Sequence, residues 1–410
     1  MDNQTIYSTL SKKLLAELEG ELRGDILTYW MNKMSDEKNV FVGRRDGFDH
    51  IDFDAPKGVI LCGRILWTYS CAYRLFGVES YLEEAHKIYE YLRDRFVDHE
   101  YGGVYWALNP EGEPYDTKKQ FYAIAFCIYG IAEYVRVTGD RLALKLAMDL
   151  FHSIEDHSRD REKGGYIEAM TQDWQPIDDL RLSDKDDNAE KTMNTHLHIL
   201  EGYTNLLRVA PEESREEVAE AVRHCVEIFL DRIIRPDGLH FGLFFDMDWK
   251  CGPQAISYGH DIEGSWLILE SADVLGDAEL SERVMKAVRL LADGSLEGRS
   301  DEGWMAYELH ADGRLDEERH WWVQAEMVVG LVYLFVRHDV PMALRKAVDS
   351  WEWIKKHLLD HRNGEWFWSE LPDGSVNHRD DKAGFWKCPY HNSRMCMEVI
   401  SVLKEWGEKK

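Results

Sequence analysis

Apolar residues recur three and four positions apart along most of the chain, the spacing that places them on one face of an α-helix. Between these runs lie short polar stretches rich in glycine, aspartate and asparagine. The pattern predicts an all-α protein of about twelve helices. The predicted helices span residues 5–33, 59–76, 81–96, 121–138, 142–157, 195–209, 213–233, 256–274, 280–292, 321–337 and 342–359, with a last helix from about residue 390.

A short motif of glycine and aromatic residues recurs between pairs of predicted helices. Each copy combines β-prone residues with a polar turn, which indicates a short hairpin or an extended loop. Equivalent positions lie 62 to 73 residues apart, and a regular period of this kind is typical of a repeat architecture. The equivalent positions are Phe41, Val104, Tyr166, Leu239, Trp304 and Trp366.

Six copies of the motif, each with room for two helices, predict an (α/α)6 barrel, also called a toroid. Six inner and six outer helices would form it, with short hairpins or loops between helix pairs. An open solenoid is the alternative. Closure is favoured because the first helix precedes the first motif and the last helix follows the sixth, so the two could pair. We therefore expect a single domain over residues 1–410.

Charge and cysteine content narrow the class of protein further. The formal net charge of -27 argues against nucleic acid and against anionic membrane surfaces as partners. Seven cysteines occur singly, without a Cys-x-x-Cys pair, which favours a reduced cytoplasmic protein. The first residues do not resemble a secretion signal, and no uninterrupted apolar run approaches 18 residues, so no membrane span is expected.

Distinctive polar and aromatic residues mark the starts of the helices that follow the motifs. If all inner helices begin at the same end of the barrel, these side chains converge on one cavity. The helix N-termini there also favour developing negative charge. The marked segments contain Arg64, Tyr122, Asn194, His198, His260, Glu263, Trp322, Glu326, Trp386, Cys388 and His391.

Two histidines, His196 and His198, stand two residues apart at the head of one predicted helix. Side chains at this spacing point about 200° away from each other on a helix. Only one of them can therefore face the cavity. We expect His198 to face it, beside Asn194, and His196 to be a packed structural residue.

The set of residues suits proton transfer on a carbohydrate. Histidine gives and takes protons near neutral pH, and two histidines on opposite sides of a substrate can remove a proton from one face and return one to the other. A nearby arginine can hold an oxyanion. Tryptophan faces stack on sugar rings, while carboxylates and asparagine bind hydroxyls. The chemistry that fits is proton abstraction next to a carbonyl.

Other chemistries have less support. A metal pair at His196 and His198 lacks the strand-end context that such pairs have, and no His-Glu-x-x-His is present. Neither a Gly-x-Gly-x-x-Gly motif nor a P-loop occurs, so no nucleotide cofactor is expected. A glycoside hydrolase remains open, since Glu263, Glu308 and Glu326 could supply two flanking carboxylates. Cys388 has aromatic neighbours and is interpreted as structural.

Four ordered segments carry a family resemblance. Residues 193–198, 259–263, 319–326 and 385–392 resemble those of the N-acylglucosamine 2-epimerase superfamily, most closely its cellobiose 2-epimerases. The similarity extends over nearly the whole chain, from the region around Arg64 to the last helix. Cys388 departs from the family pattern, which has a small residue such as glycine there.

The resemblance implies an (α/α)6 barrel that epimerises C2 of the reducing-end glucose of β-1,4-linked disaccharides. It implies neither a metal nor another cofactor, and a monomer or weak homo-oligomer whose partner is the small-molecule disaccharide. The residue roles that it implies are an acid–base pair of His260 and His391, a third histidine in His198, oxygen binding at C1 and C2 by Arg64, hydroxyl binding by Tyr122, Asn194, Glu263 and Glu308, and sugar stacking by Trp322 and Trp386.

Several alternatives share part of this chemistry. An N-acylglucosamine 2-epimerase or a mannose/glucose-type aldose–ketose isomerase would use the same histidines. The aromatic residues Trp321, Trp322 and Trp386 favour a disaccharide over a monosaccharide. A glycoside hydrolase or a non-catalytic sugar-binding protein would not need three histidines.

Overall fold

The structure, a computed structural model, describes residues 3–35 and 40–409. A π-helical turn, Leu22–Ile26, joins the first two helices into one segment, and similar turns extend the helix Glu79–Tyr91 to Phe96 and the helix Arg215–Ile228 to Ile233. The helices are α1 (Asn3–Glu21), α2 (Leu27–Lys33), α3 (Val59–Phe76), α4 (Glu79–Tyr91), α5 (Phe121–Thr138), α6 (Arg141–His157), α7 (Met193–Leu207), α8 (Arg215–Ile228), α9 (Tyr258–Leu275), α10 (Ala278–Ser295), α11 (Trp321–Arg337), α12 (Pro341–His357) and α13 (Tyr390–Glu408).

These helices form two concentric layers. The inner layer contains α3, α5, α7, α9, α11 and α13, each packed against the next, and α13 packs back against α3. The outer layer contains α1, α4, α6, α8, α10 and α12, each packed against an inner helix. The predicted (α/α)6 barrel is confirmed. The contacts of α13 with α1 and α3 close the ring and exclude the open solenoid.

The two layers differ in how their apolar residues are arranged. Outer helix α4 buries one stripe, Tyr81, Ala85 and Ile88, at the spacing of an amphipathic helix. Inner helix α5 is buried without a break from Phe121 to Val135. By length and composition α5 could cross a membrane, with a mean hydropathy of 1.2, but 83% of it is buried inside the barrel. It is therefore a core helix of the inner layer.

Glycine and aspartate turn the chain from an inner helix to an outer one. Gly139 ends α5 with φ of 67° and Gly276 ends α9 with φ of 69°, a left-handed conformation that glycine adopts without strain. The next residues, Asp140 and Asp277, cap α6 and α10 by accepting hydrogen bonds from backbone N–H groups of the first turn. These turns lie at the end of the barrel where the inner helices finish.

Short strands occupy the opposite end, where the inner helices begin. Five of the strands in the described residues directly precede an inner helix, and each pairs with the strand that follows the next glycine-aromatic motif. An Arg45–Ala383 bridge continues this pattern between the last repeat and the first. The strands are β1 (Arg44–Arg45), β2 (Ile51–Asp52), β3 (Lys57–Gly58), β4 (Ala107–Leu108), β5 (Pro114–Asp116), β6 (Lys119–Gln120), β7 (Ala169–Met170), β8 (Lys191–Thr192), β9 (Phe244–Phe245), β10 (Ile256–Ser257), β11 (Glu308–Leu309), β12 (Leu315–Asp316), β13 (Arg319–His320) and β14 (Ser369–Glu370).

The predicted hairpins are present, with two shifts of register. Single bridges join Val97 to Val104, Arg159 to Tyr166, Ile234 to Phe241, Arg299 to Met305 and Leu359 to Trp366. In the fourth and fifth copies the bridging residues are therefore Phe241 and Met305 rather than Leu239 and Trp304. Similarly, the predicted helix 256–274 begins at Tyr258, because Ile256 and Ser257 pair with β11.

Buried ion pairs attach three hairpin turns to the starts of the next inner helices. Each pair joins an aspartate just after an outer helix to a lysine before the following inner helix, and the aspartate also accepts hydrogen bonds from the turn backbone. The pairs are Lys119–Asp98 at 2.7 Å, Lys191–Asp160 at 2.7 Å and Lys382–Asp360 at 2.6 Å. They fix the strand end of the barrel, where the cavity described next lies.

Candidate active site

A cavity of about 530 Å³ opens at the strand end of the barrel. Its volume lies within the range of small-molecule sites. The predicted convergence of the inner helix starts is observed. The predicted residues that line the cavity are Arg64, Tyr122, Asn194, His198, His260, Glu263, Trp322, Trp386 and His391.

Glu308 is the predicted site residue that this cavity does not include. It lies in β11 opposite Ser257 and lines an adjoining cavity of about 400 Å³, which meets the first at Asn194, His260 and Tyr307. The Glu308 carboxylate lies 3.1 Å from His310 Nδ1. Pairing with Ser257 places Glu308 in this adjoining cavity, which His260 also lines, and the sequence contained no signal of that pairing.

His198 faces the cavity and His196 does not, as the helical spacing predicted. His198 Nδ1 lies 2.9 Å from Glu201 Oε2, which leaves Nε2 for the cavity. His196 Nδ1 lies 2.6 Å from the Thr192 carbonyl oxygen, and its Nε2 accepts a hydrogen bond from the Tyr166 backbone N–H. Burial lowers the pKa of His196 to about 3, so this residue is a neutral packing element.

His391 and His260 are the other two cavity histidines, and both lie beside Trp322. The ring centroids of His260 and Trp322 are 4.7 Å apart, and those of His391 and Trp322 are 5.7 Å apart. His391 Nδ1 lies 2.7 Å from Glu326 Oε1, whereas His260 Nδ1 lies 2.8 Å from the hydroxyl of Ser257.

Burial makes both of these imidazoles neutral in the resting site. It lowers the pKa of His260 to about 4 and the pKa of His391 well below its usual value. Each ring can therefore take up a proton only when substrate charge or a partner group supports it.

Arg64 brings a positive charge into this apolar surrounding. Its guanidinium carbon lies 4.1 Å from the Phe126 ring centroid and 4.7 Å from that of Tyr390, and Nη2 donates to the Tyr122 hydroxyl at 2.8 Å. Among the residues that the structure describes, no carboxylate forms an ion pair with Arg64. Such a group is suited to an oxyanion on a ligand.

The buried thiol of Cys388 lies 3.4 Å from Arg64 Nη1. This contact matches the structural interpretation of Cys388. The departure from the family pattern thus leaves the thiol packed against Arg64.

Several buried polar atoms of the cavity wall have no hydrogen-bond partner within the described residues. They are Arg64 Nε, Asn194 Oδ1, Glu263 Oε2, Trp321 Nε1 and Trp368 Nε1. Buried polar atoms are ordinarily satisfied, so these five are suited to hydroxyl groups of a ligand. Sugars carry such hydroxyls at close intervals.

Sequence reasoning missed part of the cavity wall. The residues that it missed are Trp368, whose ring lies 4.6 Å from that of Trp321, and Tyr307, which stacks on His320 at 4.1 Å. Trp368 belongs to the sixth motif copy, two residues after the equivalent position, and could have been found there. The loop 182–186 also lines the cavity and falls in the longest interval between motifs, which signalled an insertion.

Behind the histidines lies a buried charged cluster that the sequence did not reveal. Glu263 and Glu326 each accept a hydrogen bond from Arg394 Nη2, at 2.5 and 2.6 Å. Ligand atoms of Glu263, Glu326 and His391 lie within 4.8 Å of one another, a grouping that could hold a metal ion. The Arg394 guanidinium already bridges the two carboxylates, and we assign no metal ligands there.

Glu326 is therefore committed to His391 and Arg394. Of the carboxylates considered for glycoside hydrolysis, Glu263 lines the cavity, and the cavity wall includes neither Glu308 nor Glu326. This placement does not provide the flanking pair that hydrolysis requires from these residues.

Comparisons with known proteins decide the family. The profile of the N-acylglucosamine 2-epimerase (GlcNAc 2-epimerase) family matches residues 44–394. The chain belongs to this family. A cellobiose 2-epimerase of Bacteroides fragilis is 51% identical over 94% of this chain and 98% of its own length. Another from Ruminococcus albus is 37% identical over 95% of this chain and 98% of its own.

Solved structures agree with this assignment. The structure of cellobiose 2-epimerase from Spirochaeta thermophila superposes with a TM-score of 0.90 at 37% identity and covers 97% of this chain and 98% of that one. As a member of the N-acylglucosamine 2-epimerase family with relatives of this kind over nearly its full length, the protein is a carbohydrate epimerase, an isomerase.

Proposed function

We propose that this epimerase interconverts glucose and mannose at the reducing end of β-1,4-linked disaccharides, cellobiose to glucosyl-mannose and lactose to epilactose. The observation that carries the proposal is the meeting of His198, His260 and His391 with Arg64 in one cavity. The names of the relatives at 51% and 37% identity support cellobiose as the substrate.

The proposed chemistry begins with ring opening. One histidine takes the proton of the C1 hydroxyl and returns it to the ring oxygen as the bond between C1 and that oxygen breaks, which produces the open-chain aldehyde. His260 or His391 then removes the proton from C2, and the electron pair of that bond forms a cis-enediolate. After rotation about the C2–C3 bond, the other histidine delivers a proton to the opposite face of C2.

Arg64 and His198 would stabilise the enediolate. The Arg64 guanidinium lies in an apolar environment and lacks an ion-pair partner among the described residues, so its charge is available to oxygens at C1 and C2. Asn194, Glu263 and Tyr122 would hold hydroxyls, while Trp322 and Trp386 would stack on the sugar. Glu308 would contribute only where the substrate reaches the adjoining cavity.

A second sugar unit has aromatic surfaces available to it. Trp321 and Trp368 line the cavity with Trp322 and Trp386, and their indole N–H groups have no hydrogen-bond partner among the described residues. An N-acylglucosamine 2-epimerase or a mannose/glucose-type isomerase would use the same histidines without this second surface. Disaccharide preference is therefore the feature that separates the proposal from these alternatives.

The test is incubation of the purified protein with cellobiose, lactose, mannose and N-acetylglucosamine, followed by chromatography. We expect C2 epimers of the two disaccharides and little change in the monosaccharides. Release of monosaccharides from cellobiose would instead identify a hydrolase. In D2O the epimer must carry deuterium at C2, and product without it would rule out solvent-exchanging histidines.

Single substitutions assign the acid–base pair. His260→Asn and His391→Asn should each reduce kcat at least about 10³-fold, because one of the two proton transfers loses its group. Full activity in either variant would reject the role of that histidine.

We also propose that residues 1–410 act as one catalytic domain, monomeric or weakly associated, in the cytoplasm. The cysteines of the described residues are all free, which suits a reducing compartment. Size-exclusion chromatography with light scattering and fractionation of the source cells would test these statements.

A further inference from the structure

Arg394 lies at the centre of the buried cluster behind the cavity. It is 1% exposed, it is not part of the cavity wall, and its guanidinium group contacts carboxylates from three inner helices. Nη1 donates to Glu201 of α7 at 2.5 Å, while Nη2 donates to Glu263 of α9 at 2.5 Å and to Glu326 of α11 at 2.6 Å. Nη1 also donates to the hydroxyl of Tyr390, one turn earlier in α13.

Two of these carboxylates hold cavity histidines. Glu201 bonds His198 Nδ1 through Oε2 and Arg394 through Oε1. Glu326 Oε1 bonds both His391 Nδ1 and Arg394. His198 and His391 are therefore connected through Arg394, whereas His260 is held by Ser257, outside this network.

We propose that Arg394 is a positioning residue that holds His198 and His391 as one coupled acid–base unit through Glu201 and Glu326. This inference rests on the proposed epimerase function. In such a unit a change of charge or geometry at one histidine alters the pKa or the position of the other. His198, which acts at the substrate oxygens, and His391, which acts at C2, are then coupled.

The planar guanidinium is what makes the connection possible. Arginine presents several N–H donors in a fixed plane, so one side chain can orient three carboxylates at once. A lysine ammonium carries the same charge but lacks this plane. The effect of the charge can therefore be separated from the effect of the planar geometry by comparing a lysine, which keeps the charge, with a methionine, which keeps neither.

The charge of Arg394 acts against protonation of His391. The groups that face His391 are Glu326 from α11, Glu263 from α9, Arg64 from α3, His198 from α7 and Arg394 from its own helix. Burial is the largest cause of the low pKa of His391, Glu263 opposes it, and Arg394 and Arg64 lower it further. Removing the Arg394 charge should therefore raise the pKa of His391.

The pKa of the Glu201 carboxylate agrees with a single coupled unit. Burial alone would raise the pKa of Glu201, but Arg394 and His198 lower it to about 2. Glu201 is therefore ionised throughout the working range of pH. It remains an acceptor for His198 Nδ1–H and keeps the cavity-facing Nε2 of neutral His198 unprotonated.

The experiment measures kcat and KM for cellobiose between pH 5 and 9 in wild type, R394K and R394M, after the wild type is shown to epimerise. We expect kcat to fall about 100-fold in both variants because the histidines are misplaced. KM should change little, since Arg394 does not line the cavity. The acidic limb of the kcat/KM profile should move to higher pH in R394M and stay near the wild-type position in R394K.

A matched control is available at the other end of the barrel. Arg74 is an inner-layer arginine that pairs with the buried carboxylate of Glu133 at 2.5 Å, and within the described residues it forms no hydrogen bond or ion pair with a histidine or with the carboxylates that Arg394 holds. R74K should retain the wild-type kcat and pH profile. Circular dichroism and thermal unfolding establish that each variant is folded before its kinetics are compared.

Each outcome supports or overturns the proposal. A folded R394M with unchanged kcat or an unmoved acidic limb overturns it. If R394M does not fold, E326Q takes its place: loss of that negative charge beside His391 should move the limb to lower pH, and an unmoved limb overturns the proposal. A wild type that epimerises none of the sugars would instead reject the proposed function.

Discussion

The partner of each histidine Nδ1 decides which form of the neutral ring faces the cavity. An ionised carboxylate has no proton to donate and can only accept hydrogen bonds. Glu201 therefore favours an N–H at Nδ1 of His198, and Glu326 favours one at Nδ1 of His391. In both rings this leaves a lone pair on Nε2, which faces the cavity. The hydroxyl of Ser257 can donate or accept, so it suits both tautomers of His260. His260 is therefore the histidine that can present either an acid or a base without a net charge.

This difference predicts a measurable role for Ser257. Ser257→Ala removes the partner of His260 Nδ1, and we expect kcat to fall about 10- to 100-fold with little change in KM, because the ring loses its orientation. Ser257→Thr keeps a hydroxyl and should recover most of the activity. Steady-state kinetics with cellobiose provide the measurement.

A neighbouring serine serves as the control. Ser265 lies in α9, the helix of His260, and its hydroxyl donates to the Ile262 carbonyl oxygen and to no histidine of the described residues. Ser265→Ala should leave kcat unchanged. Wild-type kcat in Ser257→Ala would show that packing alone orients His260.

At the residue scale, features that depend on local sequence spacing could be predicted, whereas features that depend on long-range contacts could not. The opposite directions of His196 and His198 followed from helical spacing alone. Glu201 could have been found in the same way, since it follows His198 by three residues on one face of α7. Arg394 could not, because it meets Glu201 across 193 positions and no local pattern encodes that contact. The placement of Glu308 likewise depended on strand pairing.

At the scale of elements, glycines allow inner helices to approach closely. A Cβ atom at Gly130 of α5 would lie 2.4 Å from the Gly63 carbonyl oxygen of α3, and one at Gly202 of α7 would lie 2.6 Å from the Ala125 carbonyl oxygen of α5. Gly63 directly precedes Arg64. The distance between α3 and α5 therefore also sets where the Arg64 guanidinium lies.

Gly130→Ala should separate these two helices. We expect a loss of about 1 to 3 kcal/mol of stability, typical of an overpacked core, together with a lower kcat from the displaced Arg64. Thermal unfolding and steady-state kinetics on the same preparations test both effects. Gly20→Ala in α1 is the matched control, since its added methyl group meets no atom within 4 Å from elsewhere in the described residues and alanine favours the helix.

A Gly130→Ala variant with unchanged unfolding temperature would show that α3 and α5 can move apart freely. Loss of stability without loss of kcat would show that Arg64 is positioned by its flanking rings instead. The two measurements thus separate the contributions of helix spacing and ring packing.

Elements were predicted well where apolar spacing was regular, and less well where strands meet helices. Helix 121–138 matches α5 at both ends, because apolar residues fill it and Gly139 ends it. Residues 256–257 belonged to a strand instead, since two residues are too few to show alternation. The Lys119–Asp98 pair was not predicted. In the sequence, a lysine before an apolar helix resembles a solvent-exposed charge, and only the packing of the neighbouring repeat buries it.

At the scale of the whole molecule, the repeat gave the architecture before any contact was known. Six motif copies at regular intervals implied six helix pairs, and the order of the first and last helices favoured a ring. The cavity follows from that ring, because helices that begin at one end bring their first turns together. The substrate does not follow from it, since the same ring can surround many chemistries.

Because the ring of helix pairs is closed, the fold depends little on where along the ring the chain begins and ends. Linear repeat arrays need specialised capping units at both ends, whereas every repeat here is covered by two neighbours. Tyr7 of the first helix and Trp406 of the last both pack against Phe335, so the described ends lie near each other. Chain order around such a ring is, in principle, interchangeable.

A circular permutant makes this consequence testable. A glycine–serine linker would join residues 410 and 1, and new ends would open between Ala210 and Pro211, in the turn between α7 and α8 away from the cavity. We expect the permutant to fold and to epimerise with kcat within about tenfold of the original, because the ring contacts that shape the cavity do not depend on where the chain starts. An unfolded permutant would mean that assembly requires a continuous chain between Ala210 and Pro211.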